Sequence, residues 1–247
     1  MASKPTESNK NTLTGLGVVT VAGAPSAGKT SVLLHAISIL KERGVKTGVV
    51  KFDCLSADDQ ARYQAQGIET LTGLSAHQCP DHYYISNLPR ILDWATAKQL
   101  DLLLTESAGL CNRCSPYLKE VPAVCVIDHL SGLQAPKKIG PMLRLADCIV
   151  LTRGDMVSQA EREVFSLQIS MRNPRAQVIE VNGRTGQGIW PLVHFLLQAP
   201  RRTSLDETTL RFPMPSALCS YCLGETKVGD LYQLGNRRTL RWEGAPS

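Results

Sequence analysis

No stretch of about 18 or more apolar residues runs anywhere in this chain, which excludes apolar membrane-spanning helices. The opening, Met1 to Thr14, lacks the apolar core of a secretory signal. It reads as a polar, disordered lead rich in Ser, Asn, Lys and Thr, and the expected location is the cytoplasm. Strong charge of either sign is also lacking. Lys and Arg number 27 against 22 Asp and Glu, a formal net charge of +5 that is too modest and too mixed to point to nucleic acid. An arginine-rich last fifth (Arg201, Arg202, Arg211, Arg237, Arg238, Arg241) leaves an RNA or acidic-partner surface as the alternative to a solvated basic one. There is no internal repeat and no Ser/His/Asp hydrolase arrangement. Cysteine is plentiful by contrast: eight are present, and in a reducing compartment they read as small buried residues or metal ligands rather than a disulfide framework. The length of 247 residues supports one large α/β domain over residues 15–199 and a smaller extension over 200–247.

What the chain does have is Gly23-Ala24-Pro25-Ser26-Ala27-Gly28-Lys29-Thr30, with Ser31 following. It comes after the apolar run Val18 to Val21 and opens a segment with Val32, Leu33, Leu34, Ala36, Ile37 and Leu40 at helical spacing, so the order is strand, glycine loop, helix. The G-x-x-x-x-G-K-[ST] spacing lets backbone N–H groups surround phosphate oxygens at a helix N-terminus, with Lys29 on the β- and γ-phosphates and the Thr30 hydroxyl on magnesium.

Later strand ends supply the rest of a nucleotide site. Val45 to Phe52 reads as a buried strand ending at Asp53, placed to hold magnesium or orient the attacking water. Asp58 and Asp59 follow on a short helix, where a helix-start carboxylate is an equal reading. The apolar run after Asp101 leads to Glu106 on the magnesium ion or its water and to Gly109, whose backbone can approach a γ-phosphate. Lys29, Asp53 and Glu106 are therefore the candidate catalytic residues, and Thr30, Asp53 and Glu106 the magnesium set. Val121 to Ile127 and Cys148 to Leu151 read as further strands. The second leads into Thr152-Arg153-Gly154-Asp155, where an aspartate can accept hydrogen bonds from guanine N1–H and its amino group and the Arg153 stem can cover the base. Asn182, Gly183 and Arg184, after the strand Gln177 to Val181, close over the base. GTP is the expected nucleotide, with ATP as the alternative.

A second chemistry is written in the cysteines. His77, Cys79 and His82 crowd a stretch, Gly67 to Asn87, that has little sustained periodicity; thiolate and imidazole suit zinc, nickel or copper. After it, Ile85, Leu88, Ile91, Leu92 and Trp94 are spaced for one buried helix face. Cys111 and Cys114 form a Cys-x-x-Cys pair just beyond Gly109, which needs further ligands from Cys79 and a histidine or from a second subunit. Cys125 and Cys148 lie in apolar strands and read as core, while Cys54 stays open. Cys219 and Cys222 fall in the extension, which is too small to hold itself by apolar burial; a metal or cluster clamp, docking on the main domain, or dimer pairing would each help.

Over about residues 16 to 198 these pieces, in this order, resemble the CobW/HypB/UreG family of P-loop GTPases, the accessory proteins of nickel-enzyme maturation. Glu69 to His82 is similar to the Cys-Pro-His stretch of the urease type, and Cys111 looks like the cysteine after the same loop in the hydrogenase type. The chain departs from the pattern in the Asp81 inserted between Pro80 and His82, in Thr152-Arg153 where Asn-Lys is usual, and in the whole extension. The resemblance implies an α/β P-loop fold with a mostly parallel sheet and magnesium-dependent GTP hydrolysis with low intrinsic turnover. It also implies a nucleotide-dependent homodimer, nickel or zinc on Cys79, His82 and Cys111, and a client metalloenzyme or its accessory proteins as partner. The other readings are an iron–sulfur cluster carrier using Cys219 and Cys222, a nucleotide-gated regulatory protein, and a small-molecule kinase.

Overall fold

The computed structural model describes residues 15–54, 58–76, 78–109, 114–205, 207–213, 225–233 and 238–244. The lead over 1–14 and the candidate ligands His77, Cys111, Cys219 and Cys222 lie outside them, as does the side chain of Asp58. In chain order the elements are β1 (Leu16–Gly23), α1 (Lys29–Glu42), β2 (Thr47–Asp53), α2 (Asp58–Ala65), β3 (Glu69–Leu74), α3 (Pro80–Ser86), α4 (Leu88–Ala97), β4 (Leu102–Ser107) and β5 (Ala123–Asp128). Then come α5 (Ala135–Lys138), α6 (Pro141–Arg144), β6 (Cys148–Thr152), α7 (Gln159–Arg172), β7 (Gln177–Val181), α8 (Trp190–Leu197) and β8 (Arg201–Arg202).

Seven strands lie parallel in the order β3-β2-β4-β1-β5-β6-β7, and β8 pairs antiparallel with the start of β1. Successive side chains of a strand face opposite sides, and the core divides accordingly. Val19, Val21, Val49, Leu104 and Val126 pack beneath α1 and α8, whereas Val18, Val50, Phe52 and Leu103 pack against α3 and α4 on the other face. A third cluster, with Ile127, Ile149 and Leu151, is roofed by Met142, Leu143, Phe165 and Ile169. The order of connections matters for function. The chain leaves β1 toward β2 on one side and later crosses to β5 on the other, which opens a crevice at the carboxyl ends of β1, β2 and β4.

Two local differences from the sequence pattern have plain causes. Glu69–Leu74 forms an edge strand whose residues are mostly half-buried, so it carries no apolar run to announce it. The segment expected as one helix through Ile85 and Trp94 is two, α3 and α4, broken at Asn87 because Pro89 cannot continue the preceding backbone ladder.

The described part of the last fifth docks on the α3–α4 face, where Leu205, Leu210 and Leu240 join the core. Arg211 anchors it. Its guanidinium donates to the carbonyls of Leu118, Leu145 and Val121 at 2.9, 2.7 and 2.7 Å and forks onto Asp147 at 2.8 and 2.7 Å. Asn87 gives a second tie: its amide donates to the Arg238 carbonyl at 2.9 Å and its oxygen accepts from Leu240 N–H at 2.7 Å.

Candidate nucleotide and metal sites

The loop from Gly23 to Thr30 joins β1 to α1 and is packed closely against β5. Gly23 has φ +156 and runs so close to β5 that a Cβ there would lie 2.2 Å from the Val126 carbonyl oxygen, so only glycine fits. Lys29 folds back over the loop, its Nζ donating to the carbonyls of Gly23 at 3.0 Å and Ala24 at 2.9 Å. Burial pulls its ammonium below the ordinary lysine range, with the charge of Glu106 opposing.

Next to the loop, four elements meet on one polar corner. Thr30, in the first turn of α1, donates to Glu106 at 2.8 Å and to Asp59 at 3.0 Å. Lys51 and Glu106 stand opposite each other in the β2–β4 register, and the Lys51 ammonium lies 3.0 Å from Glu106 and 2.7 Å from Asp59. Tyr63, one turn after Asp59 on α2, donates to the other Glu106 oxygen at 2.7 Å. Burial pulls the Lys51 pKa down, but Glu106 and Asp59 together outweigh it and hold it above the ordinary value. Burial pushes Asp59 up, and Lys51, Arg62 and Thr30 more than reverse that. For Tyr63, burial and then the Glu106 charge drive the phenol well above its usual range.

Thr30 and Glu106 are thus brought together as expected. Asp53 sits at the same mouth, at the end of β2, where it accepts from the Cys54 N–H at 2.7 Å. The carboxylate beside Thr30 is instead Asp59. Sequence reasoning ranked Asp59 below Asp53 and passed over Lys51 and Tyr63. The available signals were a lone lysine inside the apolar strand Val49-Val50-Lys51-Phe52 and the i, i+4 spacing of Asp59 and Tyr63, which puts both on one helix face. Lys29, Thr30, Lys51, Asp53, Asp59 and Glu106 line a cavity of about 390 Å³.

A larger cleft of about 930 Å³ adjoins it, sharing Gly28, Ser31, Arg62 and Arg153 and extending to Thr152, Asp155, Asn182, Gly183 and Arg184. Thr152 ties this end to the phosphate loop by donating to the Ala27 carbonyl at 2.7 Å. Arg153, at φ +57, spans from Asp128 at 2.7 Å to the Ser26 carbonyl at 2.6 Å. Asn182 folds its own loop, its side-chain oxygen accepting from Arg184 N–H at 2.9 Å and Thr185 N–H at 3.1 Å.

On the opposite face of the sheet lies the second cluster. Ser107 follows Glu106 and, being the next residue of a strand, points the other way. Its hydroxyl donates to Asp81, which is fully buried in α3, and the Cys114 thiol lies 3.8 Å from the other Asp81 oxygen. The sulfurs of Cys79 and Cys114 and a carboxylate oxygen of Asp81 all lie within 4.8 Å of one another. His82 does not share this cluster: its ring meets Gln233 of the docked extension, and burial pulls its pKa below the ordinary histidine value. The reason is helical: Cys79 caps α3, and neighbours such as Asp81 and His82 point about 100° apart, so the inserted Asp81 takes the direction expected for His82. Two thiols and a carboxylate fit a divalent transition metal such as zinc or nickel and leave a fourth position for another donor. Cys125 and Cys148 are core as expected, burial pushing each thiol up to about 12. At Gly109, φ is +53 and a Cβ would lie 2.7 Å from the Gly23 carbonyl oxygen, so the loop after β4 presses directly on the phosphate loop. Among the described residues no helix is long and apolar enough to cross a membrane.

The chain is similar to known proteins along most of its length. It is 47% identical over 223 residues to the uncharacterized protein MJ0120 of Methanocaldococcus jannaschii, covering 90% of this chain and 95% of that one. It is 28% identical over 214 residues to the urease accessory protein UreG of Yersinia pestis, covering 80% and 94%. The structure of HypB from Helicobacter pylori in complex with nickel superposes with a TM-score of 0.58 at 17% identity, covering 77% of this chain and 91% of that one, a likeness of fold. Residues 17–180 match the family model described as CobW/HypB/UreG, nucleotide-binding domain, and the chain belongs to that family.

Proposed function

We propose that this protein is a GTP-hydrolysing metallochaperone that carries a divalent transition metal, nickel or zinc, to a client metalloenzyme and releases it when the nucleotide state changes. The observation that carries the reading is the end of β4. Glu106 faces the corner beside the phosphate loop, and Ser107, the next residue, holds Asp81 between two thiols. A shift of this strand end on loss of the γ-phosphate reaches the metal ligands through one peptide unit. The metal is cargo. Nickel is favoured because the relatives named above include a urease accessory protein and a HypB with nickel bound.

Catalysis in this reading is positioning and charge stabilisation. Lys29 and the loop amides hold the phosphates. Thr30, Asp59 and Glu106 fit a magnesium ion, which when bound neutralises charge on the transferring phosphoryl group. Asp53, at the mouth of the same cavity, orients water, and Gly109 lets its backbone meet the γ-phosphate. Asp155 selects guanine, with Asn182 to Arg184 closing over the base. The incomplete ligand set of Cys79, Asp81 and Cys114 favours a nucleotide-dependent homodimer or a client protein that supplies the remaining donor. Residues 15–199 act as the GTPase domain, and the extension from 200 covers the metal-side helix.

Titration calorimetry of anaerobic protein with Ni²⁺ and Zn²⁺, in the presence of Mg²⁺ and either GDP or a non-hydrolysable GTP analogue, tests this. The expected result is a change in metal affinity of about tenfold or more, about 1.4 kcal/mol of coupling. Equal affinity in both states leaves a nucleotide-gated regulatory protein as the better reading.

A further inference from the structure

Lys51 interrupts a strand that is otherwise apolar and buried, Thr-Gly-Val-Val-Lys-Phe-Asp. A buried ammonium costs several kcal/mol unless it is surrounded by acceptors, and here it is. Its side chain is 6% exposed and its Nζ lies 2.7 Å from Asp59, 3.0 Å from Glu106 and 3.4 Å from the Thr30 hydroxyl. Those three oxygens come from α2, β4 and α1, and they are the same oxygens that fit the magnesium ion of a bound nucleotide. The cation in the seat is therefore part of the chain.

We propose that Lys51 is a tethered occupant of the magnesium seat, which holds the site together in the nucleotide-free protein and yields only when Mg²⁺ arrives together with phosphates. This rests on the reading of the corner as a magnesium–nucleotide site. The charge balance gives the direction. Asp59 and Glu106 carry two negative charges, one of which Lys51 neutralises, so a divalent ion alone must displace a favourably placed cation without bringing new ligands. Added phosphate oxygens raise the local negative charge and tip the exchange toward the divalent ion. The displaced ammonium has somewhere to go: Asp53 lies two residues along the same face of β2, and both residues line the cavity of about 390 Å³. Divalent binding thus becomes conditional on nucleotide, and the corner filled by Lys51 takes free metal ions only weakly.

Mn²⁺ binding followed by electron paramagnetic resonance tests the proposal on wild type, Lys51→Met and Lys51→Arg, each with and without GDP. Wild type should bind Mn²⁺ about 100-fold more tightly with GDP than without, and Lys51→Met should bind it without GDP about tenfold more tightly than wild type does. Lys51→Arg, which keeps the charge, should behave as wild type. Lys51→Met should also gain more in heat-unfolding midpoint from Mn²⁺ than wild type. Equal or weaker Mn²⁺ binding by nucleotide-free Lys51→Met overturns the proposal. Where that variant folds only with a divalent ion present, the ion has replaced the ammonium and the proposal stands. Where it does not fold at all, the ¹⁵N ammonium signal of Lys51 in wild type decides, since its persistence unchanged in Mg²⁺–GDP overturns the displacement. If no protein binds Mn²⁺ even with GDP, the magnesium–nucleotide reading itself fails and takes this proposal with it.

Discussion

The two polar corners at the end of β4 are one residue apart and differ in chemical kind. On the Glu106 side the donors are carboxylate, hydroxyl and phenol oxygens around an ammonium, a hard set suited to magnesium. On the Ser107 side they are two sulfurs and one carboxylate, a softer set suited to zinc or nickel. The alternation of a single strand is enough to keep the two donor sets apart: neighbouring side chains leave by opposite faces of the sheet, so an ion on one set could not reach the other. The difference teaches that separation of the hard and soft donor sets here is topological first and chemical second.

The strongest way to break the comparison is to disable one corner and read the other. Lys29→Ala should weaken nucleotide binding about 100-fold, because it removes a charge-assisted contact to phosphate, and leave Zn²⁺ affinity of the nucleotide-free protein unchanged by calorimetry. Conversely, Cys79→Ala with Asp81→Asn should weaken Zn²⁺ or Ni²⁺ binding by about tenfold or more while GDP affinity stays within about twofold. Gly109→Ala attacks the loop that joins the corners. Its φ of +53 and the close Gly23 carbonyl should cost about 1–3 kcal/mol in denaturant unfolding and reduce the nucleotide dependence of metal affinity. The smallest effect comes from pH. The depressed Asp59 carboxyl gives stability that is complete above about pH 4 and is lost as pH falls through its lower folded value. The raised Lys51 gives stability that is complete below about pH 10.4 and is lost as pH rises through its higher folded value. The Asp59–Lys51 contribution, read as the difference in urea midpoint between wild type and Lys51→Met, should therefore be flat between these limits and shrink outside them.

Much of the nucleotide side is legible in the sequence because its parts are local. Gly23 to Thr30 is contiguous and its spacing carries the phosphate chemistry, while Glu106 and Asp155 each follow an apolar strand that announces itself. Asp59, Lys51 and Tyr63 are not legible in the same way, since their roles depend on a register between β2 and β4 and on how α2 is laid across it. The metal side is half legible. Cys79 and Cys114 stand out by type, but Asp81 reads only as an insertion until the turn of α3 and its bond to Ser107 are known. Nor does the polar sequence of α3 announce that every one of its residues is buried, a consequence of the extension packed over it.

The tie between Asn87 and the backbone of Arg238 and Leu240 bears on the order in which the molecule is completed. A chain is made from its amino end, and domains fold in that direction during synthesis. Everything that forms the phosphate loop and its carboxylates, from Gly23 to Glu106, has left the ribosome long before residues 238–240 are joined. The tie to the residue that ends α3, the helix that carries Asp81, can be made only after them. The residues around the phosphate loop are thus all made before the segment that packs over the cysteine side of the sheet.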